Sequence, residues 1–368
     1  MRNPQSAIRN ERNIGIDLLK IISMLMIIIL HLEGHGGLLA SVKYDQNNLF
    51  FSNYSLAWLL EILAFGAVNC YAIASGYLSW NSQQSYAKLA YFWLQILFYS
   101  LIITFLFSLY HNISIKEWIS SFFPITHRKY WYASAYFGLF LLMPILNIYL
   151  QKVNKNALKV NLIVMLVLIV ILPTYFKKDP YIVSNGYSVL WLGLMYLVGG
   201  YLAKFGINLK KEYAISLFIF FSILTWLNKI VVEYFNNAYA MKIEMINLIS
   251  YTSPTIVFAA LCLVIFCTQI KIASEKLAKL IILFSSASFG VYLIHEHNLV
   301  RSNFIVGISK TFAQDNVLLM LIKIIGIALL IFILCALIDI QREKLFKKLG
   351  VLDKLRKIEQ RFKQYLQS

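Results

Sequence analysis

The sequence predicts an all-α fold, a polytopic membrane bundle of about ten transmembrane helices with both termini cytoplasmic. Three observations predict it. Of 368 residues, 60% are hydrophobic and only 14% charged, against about 45–50% and about 25% in a soluble domain. A water-soluble globule is excluded on that ground. The apolar residues fall in runs close to the roughly 20 residues that a helix needs to cross a bilayer, and the polar stretches between them leave no room for a separate soluble domain. The third observation is where the charge sits. A net charge of +17 would suit a nucleic-acid binder, but 22 Lys and Arg fall on the side of the N-terminus and 9 on the other. That is the positive-inside pattern, and it makes the lipid bilayer, with no nucleic acid, the partner the charge serves.

The spans fall at 14–32, 55–79, 87–110, 131–150, 159–176, 187–203, 213–233, 248–268, 280–295 and 317–340. The first apolar run is too long for a secretory signal and no small-residue cleavage site follows it, so it reads as a span. The second holds Glu61, a carboxylate that either pairs helices or functions. The third follows Lys88 on the inner side. The fourth opens on Trp131 and Tyr136 at the outer interface, where aromatic belts are normal, and Pro144 with Asn147 marks a helix break. Lys229 and Lys323, in the seventh and tenth, are expected to snorkel or pair. The ninth ends in His295 and Glu296, with Arg301 just beyond. Residues 1–340 thus form the membrane domain, and the basic stretch 341–368 reads as an amphipathic helix lying on the anionic inner leaflet. Cys70, Cys262, Cys267 and Cys335 all sit in apolar segments, with no metal or disulfide spacing.

All six histidines, His31, His35, His111, His127, His295 and His297, fall at outer span ends or in outer loops. Histidine is the side chain best suited to proton transfer near neutral pH, so the chemistry is expected near the outer leaflet. His35, His111, His127 and His297 are expected to be solvated, with no metal ligands among them. The first span concentrates the ionisable residues. Eleven steps separate Lys20 from His31 and fourteen separate Asp17 from His31. At 100° per residue all three share one helical face, with Lys20 and His31 about 16 Å apart along the axis. Facing lipid, Asp17 and Lys20 would each cost roughly 3 kcal/mol. They therefore face the interior, either as a pair near the inner interface or as the start of a polar path ending at His31.

The residues also resemble a family. Lys20, ten residues and then His31 is similar to the Arg-X10-His signature of the bacterial integral-membrane acyltransferases, the acyltransferase 3 family. Further segments follow in the same order: Val68 to Ser75-Gly76-Tyr77, Tyr130-Trp131 to Tyr136 with Pro144 and Asn147, Tyr196 with Gly199-Gly200-Tyr201, and Ser288 to Tyr292-Leu-Ile-His295-Glu296 with Arg301 after it. The resemblance covers about residues 8–302 and is nearest to the O-acetyltransferases of extracellular or capsular polysaccharides. One residue departs from the signature: Lys20 stands where the family has arginine, keeping the charge but not the planar fork that binds phosphate bidentately. No Gly-Asp-Ser-type hydrolase domain accompanies these segments, so transfer is expected to finish within the membrane domain.

The resemblance implies an O-acyltransferase of the bacterial plasma membrane, with no bound cofactor and with acetyl-CoA or another acyl-CoA as cytoplasmic co-substrate. The acceptor it implies is a hydroxyl of a cell-surface or lipid-linked glycan, with polysaccharide-assembly proteins as possible partners. Enrichment in Ile, Lys, Asn and Tyr fits a low-GC bacterium. On this reading Lys20, Asp17 and Lys88 serve the donor. His31 acts as general base or transient acyl carrier, and Glu33 or Glu296 orients its imidazole, with His295 beside them. Trp131, Tyr136, Asn147 and Arg301 serve the acceptor. Ser75 is either a nucleophile or a small residue that lets helices approach. The alternative to an enzyme is a transporter or flippase for a glycan-related substrate, which also needs intramembrane charges.

Overall fold

The computed structural model describes residues 12–83, 85–239 and 248–367. Arg2 and Arg9 of the charge count, and most of the outer loop 234–247, lie outside the described residues. Within them the regular elements are all helices, joined by loops. The helices that position the site are α1 (Ile14–Glu33), α2 (Asn53–Phe65), α3 (Ala67–Ser79), α4 (Tyr86–Ser108), α5 (Trp131–Lys152), α6 (Lys155–Phe176), α7 (Val189–Phe205), α8 (Lys211–Tyr239), α9 (Pro254–Thr268), α10 (Glu275–His295), α11 (Val317–Lys348) and α12 (Val351–Gln367).

Eight helical segments among the described residues are long and apolar enough to cross a membrane, with α2 and α3 counted together. The two remaining predicted spans correspond to α7 and α9, which are apolar but shorter. The segment predicted at 248–268 starts as a helix only at Pro254, after Ser253, whose hydroxyl donates back to the Leu248 and Ser250 carbonyls. The segment predicted at 55–79 is interrupted at Gly66, where a Cβ would stand 3.3 Å from that of Ala260 in α9. The break expected at Pro144 is absent, since α5 runs continuously past it.

The hub is α1, which packs against α2, α3, α9, α10 and α11. Its buried residues lie on every side, including Ile16, Asp17, Leu19, Met24, Ile28 and Leu32, as expected of a helix enclosed by others. The outward faces of α4, α6 and α11 instead carry exposed Ile, Leu, Val and Phe, such as Phe105, Ile163 and Leu330, the belt that a hydrocarbon solvent requires. Glycines bring two helices into close contact: a Cβ at Gly76 would stand 1.9 Å from the Tyr196 carbonyl, and one at Gly199 would stand 1.9 Å from that of Ile73. The Ser-Gly-Tyr and Gly-Gly-Tyr segments are therefore the facing surfaces of α3 and α7. The expected pairings of the two isolated lysines are present: Lys229 contacts Glu233 at 2.9 Å and Lys323 contacts Asp315 at 2.7 Å.

Candidate active site

The polar stripe predicted on α1 is real and each of its members has partners. At one end, Asp17 accepts both guanidinium donors of Arg12, at 2.6 and 3.0 Å, and the Ser285 hydroxyl at 2.8 Å. Lys20 Nζ stands 3.6 Å from the same carboxylate. At the other end, His31 meets the C-terminus of α10. His295 Nδ1 lies 2.7 Å from the Val291 carbonyl one turn back. A carbonyl can only accept, so Nδ1 carries the hydrogen, and in the neutral ring Nε2 holds a lone pair. That Nε2 lies 3.0 Å from His31 Nδ1 and accepts its N–H. Glu296 Oε2 lies 3.2 Å from the same His31 nitrogen, and Arg301 pairs with the other Glu296 oxygen. His31 Nε2 is left as the free acceptor, the state a general base needs.

Three cavities follow α1 from one end to the other. The first, about 520 Å³, is lined by Arg12, Asp17, Lys20, Tyr77 and Trp80. The second, about 310 Å³, is lined by Lys20, Ser75, Phe92, Tyr132, Tyr136 and Tyr292 among others. The third, about 370 Å³, holds His31, His35, Glu61, Trp131, Glu296 and Arg301. Lys20 borders the first two, while Ile27, Tyr132 and Tyr292 border the last two. A wider depression of about 1270 Å³ lies over loops 41–53 and 310–317, with Lys43, Asp45 and Lys310 in its lining. In the third cavity Trp131, Tyr187 and Tyr251 cluster, with ring centroids 4.4, 5.2 and 6.2 Å apart. Tyr251 is fixed by Asn69, which donates to its carbonyl and accepts from the Trp191 indole.

The sequence-predicted residues divide by this geometry. His31, His295, Glu296, Arg301 and Trp131 are brought to one cavity. Asp17 and Lys20 meet at the far end, where Arg12 joins them. Tyr136 faces the middle cavity and accepts from Ser75 at 3.3 Å. Glu33 is placed differently. Two residues past His31 it lies about 200° round the helix, fully buried beside Glu61, and so does not touch the imidazole. Asn147 is about 24 Å along α5 from Trp131. It donates to the Ser79 and Ser82 carbonyls and accepts from Tyr196, tying helices together rather than facing the outer cavity. Lys88 is exposed at the start of α4 and lines neither of the cavities that Lys20 joins.

His297 was expected to be solvated and is not. Fully buried, it accepts from the Leu299 N–H and lies against Thr104. Burial, with Lys129 and Arg301 nearby, pushes its pKa down to about 3. Lys129, whose pKa burial lowers, bridges Glu117 and Ser121 at 2.6 and 2.5 Å, and Glu117 takes Asn298 at 2.8 Å. This layer braces the 295–298 segment beneath it. His31, His35 and Glu296 also offer three donor atoms within 4.8 Å of one another. His295 takes one nitrogen of His31 and Arg301 one oxygen of Glu296, which leaves His31 Nε2 and Glu296 Oε2 as the open atoms of the set.

Arg12, Tyr187, Tyr251 and Tyr292 were not legible as site residues, while Glu61, whose functional reading stood open beside helix pairing, lines the outer cavity. Tyr187 and Tyr251 come from loops distant in sequence, and only the folded bundle unites them. A family model described as an acyltransferase domain, acyltransferase 3, matches residues 13–340. No curated protein and no solved structure matches the chain.

Proposed function

Since the chain belongs to the acyltransferase 3 family, we propose that it moves an acyl group, acetyl in the simplest case, from acyl-CoA to a hydroxyl of a cell-surface or lipid-linked glycan. It would do so in the plasma membrane of a bacterium, with both termini and the donor on the cytoplasmic side. One observation carries this reading: cavities strung along α1 run from a cationic end at Arg12 and Lys20 to a histidine whose Nε2 is left free. A donor with a phosphate-bearing head and a long thioester arm fits that polarity. Arg12 supplies the planar guanidinium that Lys20 lacks, although Asp17 shares it. The eleven residues from Lys20 to His31 span about 16 Å, the scale of a pantetheine arm.

In the outer cavity, Trp131, Tyr187 and Tyr251 offer aromatic faces to a sugar ring, and Glu61 and Arg301 offer polar groups to its hydroxyls. His31 Nε2 takes the acceptor hydroxyl proton as that oxygen bonds to the thioester carbonyl carbon. The C–S bond breaks, and the thiolate regains the proton from the imidazolium. Meanwhile Glu296 Oε2 and His295 Nε2 face the positive ring and hold its orientation, the division of labour of a catalytic triad.

The test is transfer in proteoliposomes from radiolabelled acetyl-CoA to a glycan acceptor. His31→Ala is expected to lower the rate by about 10²–10⁴ with the protein still folded. An unchanged rate in that variant removes His31 from the mechanism. If wild-type protein transfers no label but the acceptor crosses the bilayer, the chain works as a transporter instead.

A further inference from the structure

We propose that Ile27, Tyr132 and Tyr292 form a collar that limits the transferred acyl group to short, unbranched chains. This rests on the acyl-CoA reading above. The three side chains are shared by the middle and outer cavities, so whatever passes from one to the other passes between them. All three are buried. They are also held in place: the Tyr292 hydroxyl accepts the Tyr132 backbone N–H at 3.4 Å, and the two rings meet edge to face with centroids 6.0 Å apart. On its other sides Tyr292 packs against Tyr130 and Phe289, and Tyr132 against Tyr71 and Tyr136. A collar built of rings braced on several sides does not widen without moving its neighbours.

Position gives the collar its selectivity. Ile27 lies one helical turn inward of His31, about 6 Å along the axis. A thioester carbonyl presented to His31 Nε2 must therefore bring its acyl group past Ile27 first. Beyond the collar the outer cavity holds about 370 Å³, and the acceptor must share it. A branched or aromatic acyl group meets the rings at the collar, while a long chain occupies the space the acceptor needs.

The experiment compares acetyl-, propionyl-, isobutyryl- and benzoyl-CoA as donors, by kcat/KM, in wild-type protein and in Ile27→Ala, Ile27→Val and Met24→Ala. Pocket contacts of one methylene are worth about 10–200-fold in such ratios. The wild type is expected to prefer acetyl to isobutyryl by at least tenfold. Ile27→Ala should reduce that preference at least tenfold, with Ile27→Val between the two. Met24 lines the middle cavity and not the outer one, so Met24→Ala should leave the ratio unchanged. Equal ratios in wild type and both Ile27 variants overturn the collar while leaving acyl transfer intact. No transfer by the wild type from any of the four esters overturns the acyl-CoA reading, and the collar with it.

Discussion

His295 works on His31 through a hydrogen that the backbone fixes. The Val291 carbonyl dictates which His295 nitrogen is protonated, and that choice dictates the tautomer of His31. On the proposed mechanism His295 is a positioning residue, and removing it leaves His31 free to protonate on the wrong nitrogen. His295→Ala is expected to lower kcat about 100-fold with KM for acyl-CoA little changed, because on the proposed reading the donor's anionic phosphates meet Arg12 and Lys20, at the other end of α1. The kcat–pH profile should also shift, since His31 loses its neutral acceptor while Glu296 remains. Equal losses in kcat and KM, with no change of profile, would make the residue merely structural. None of this was readable from spacing. The stripe Asp17, Lys20, His31 was legible because helical periodicity fixes it. The partner of His31 is 264 residues away in sequence. Glu33 seemed a partner only because it is adjacent in sequence, and a helix sends neighbours two apart to opposite sides.

At the scale of elements, α12 is fastened by a carboxylate. Glu359 accepts from the Ser85 hydroxyl at 2.8 Å and from the backbone N–H groups of Tyr86 and Ala87 at 3.3 and 3.1 Å. It thereby caps the first turn of α4, whose orphan donors and positive dipole end favour a negative group. The ion pair with Lys363 at 2.8 Å is the first cause, and these hydrogen bonds add to it, in lowering its pKa to about 2 from an ordinary 4.5. A lowered carboxylate pKa means that the docking energy is fully present above about pH 4.5 and is lost as pH falls from there through about 2. With a fluorophore on Gln364→Cys, Glu359→Gln is expected to lower label anisotropy at pH 7. The unsubstituted Glu359 protein should show that drop only in the acid range. Unchanged anisotropy in Glu359→Gln would mean that packing alone holds the helix. The amphipathic character of α12 was legible in its sequence, but its attachment was not. Cap and capped residue lie 274 apart, and Glu359 looks like one more charge on a basic helix. Helix boundaries followed a similar rule: runs of apolar residues located α1, α4, α5 and α10 within a few residues, whereas the break at Gly66 depends on the contact with Ala260.

For the whole molecule, the decisive property is direction. The cationic cavity at Arg12 and Lys20 serves a cytoplasmic donor only if the N-terminus lies inside, and the His31 cavity meets a surface glycan only if it opens outside. Net charge placement favours this orientation, because 22 Lys and Arg against 9 is the bias that insertion imposes. Apolar composition alone is blind to direction, since a bundle reads the same either way up. The chain offers a clean test. All four native cysteines are buried, so an introduced exposed cysteine is the group that a membrane-impermeant maleimide reaches. His111 and Lys363 are both exposed and lie beyond opposite ends of the bundle. In intact cells His111→Cys should label fully, and Lys363→Cys should label only after the membrane is permeabilised. The reverse pattern would put the His31 cavity on the cytoplasmic side, beside acyl-CoA. The path along α1 would then have no gradient of substrates to connect, and the transporter reading would account for the buried charges better than transfer across the bilayer does.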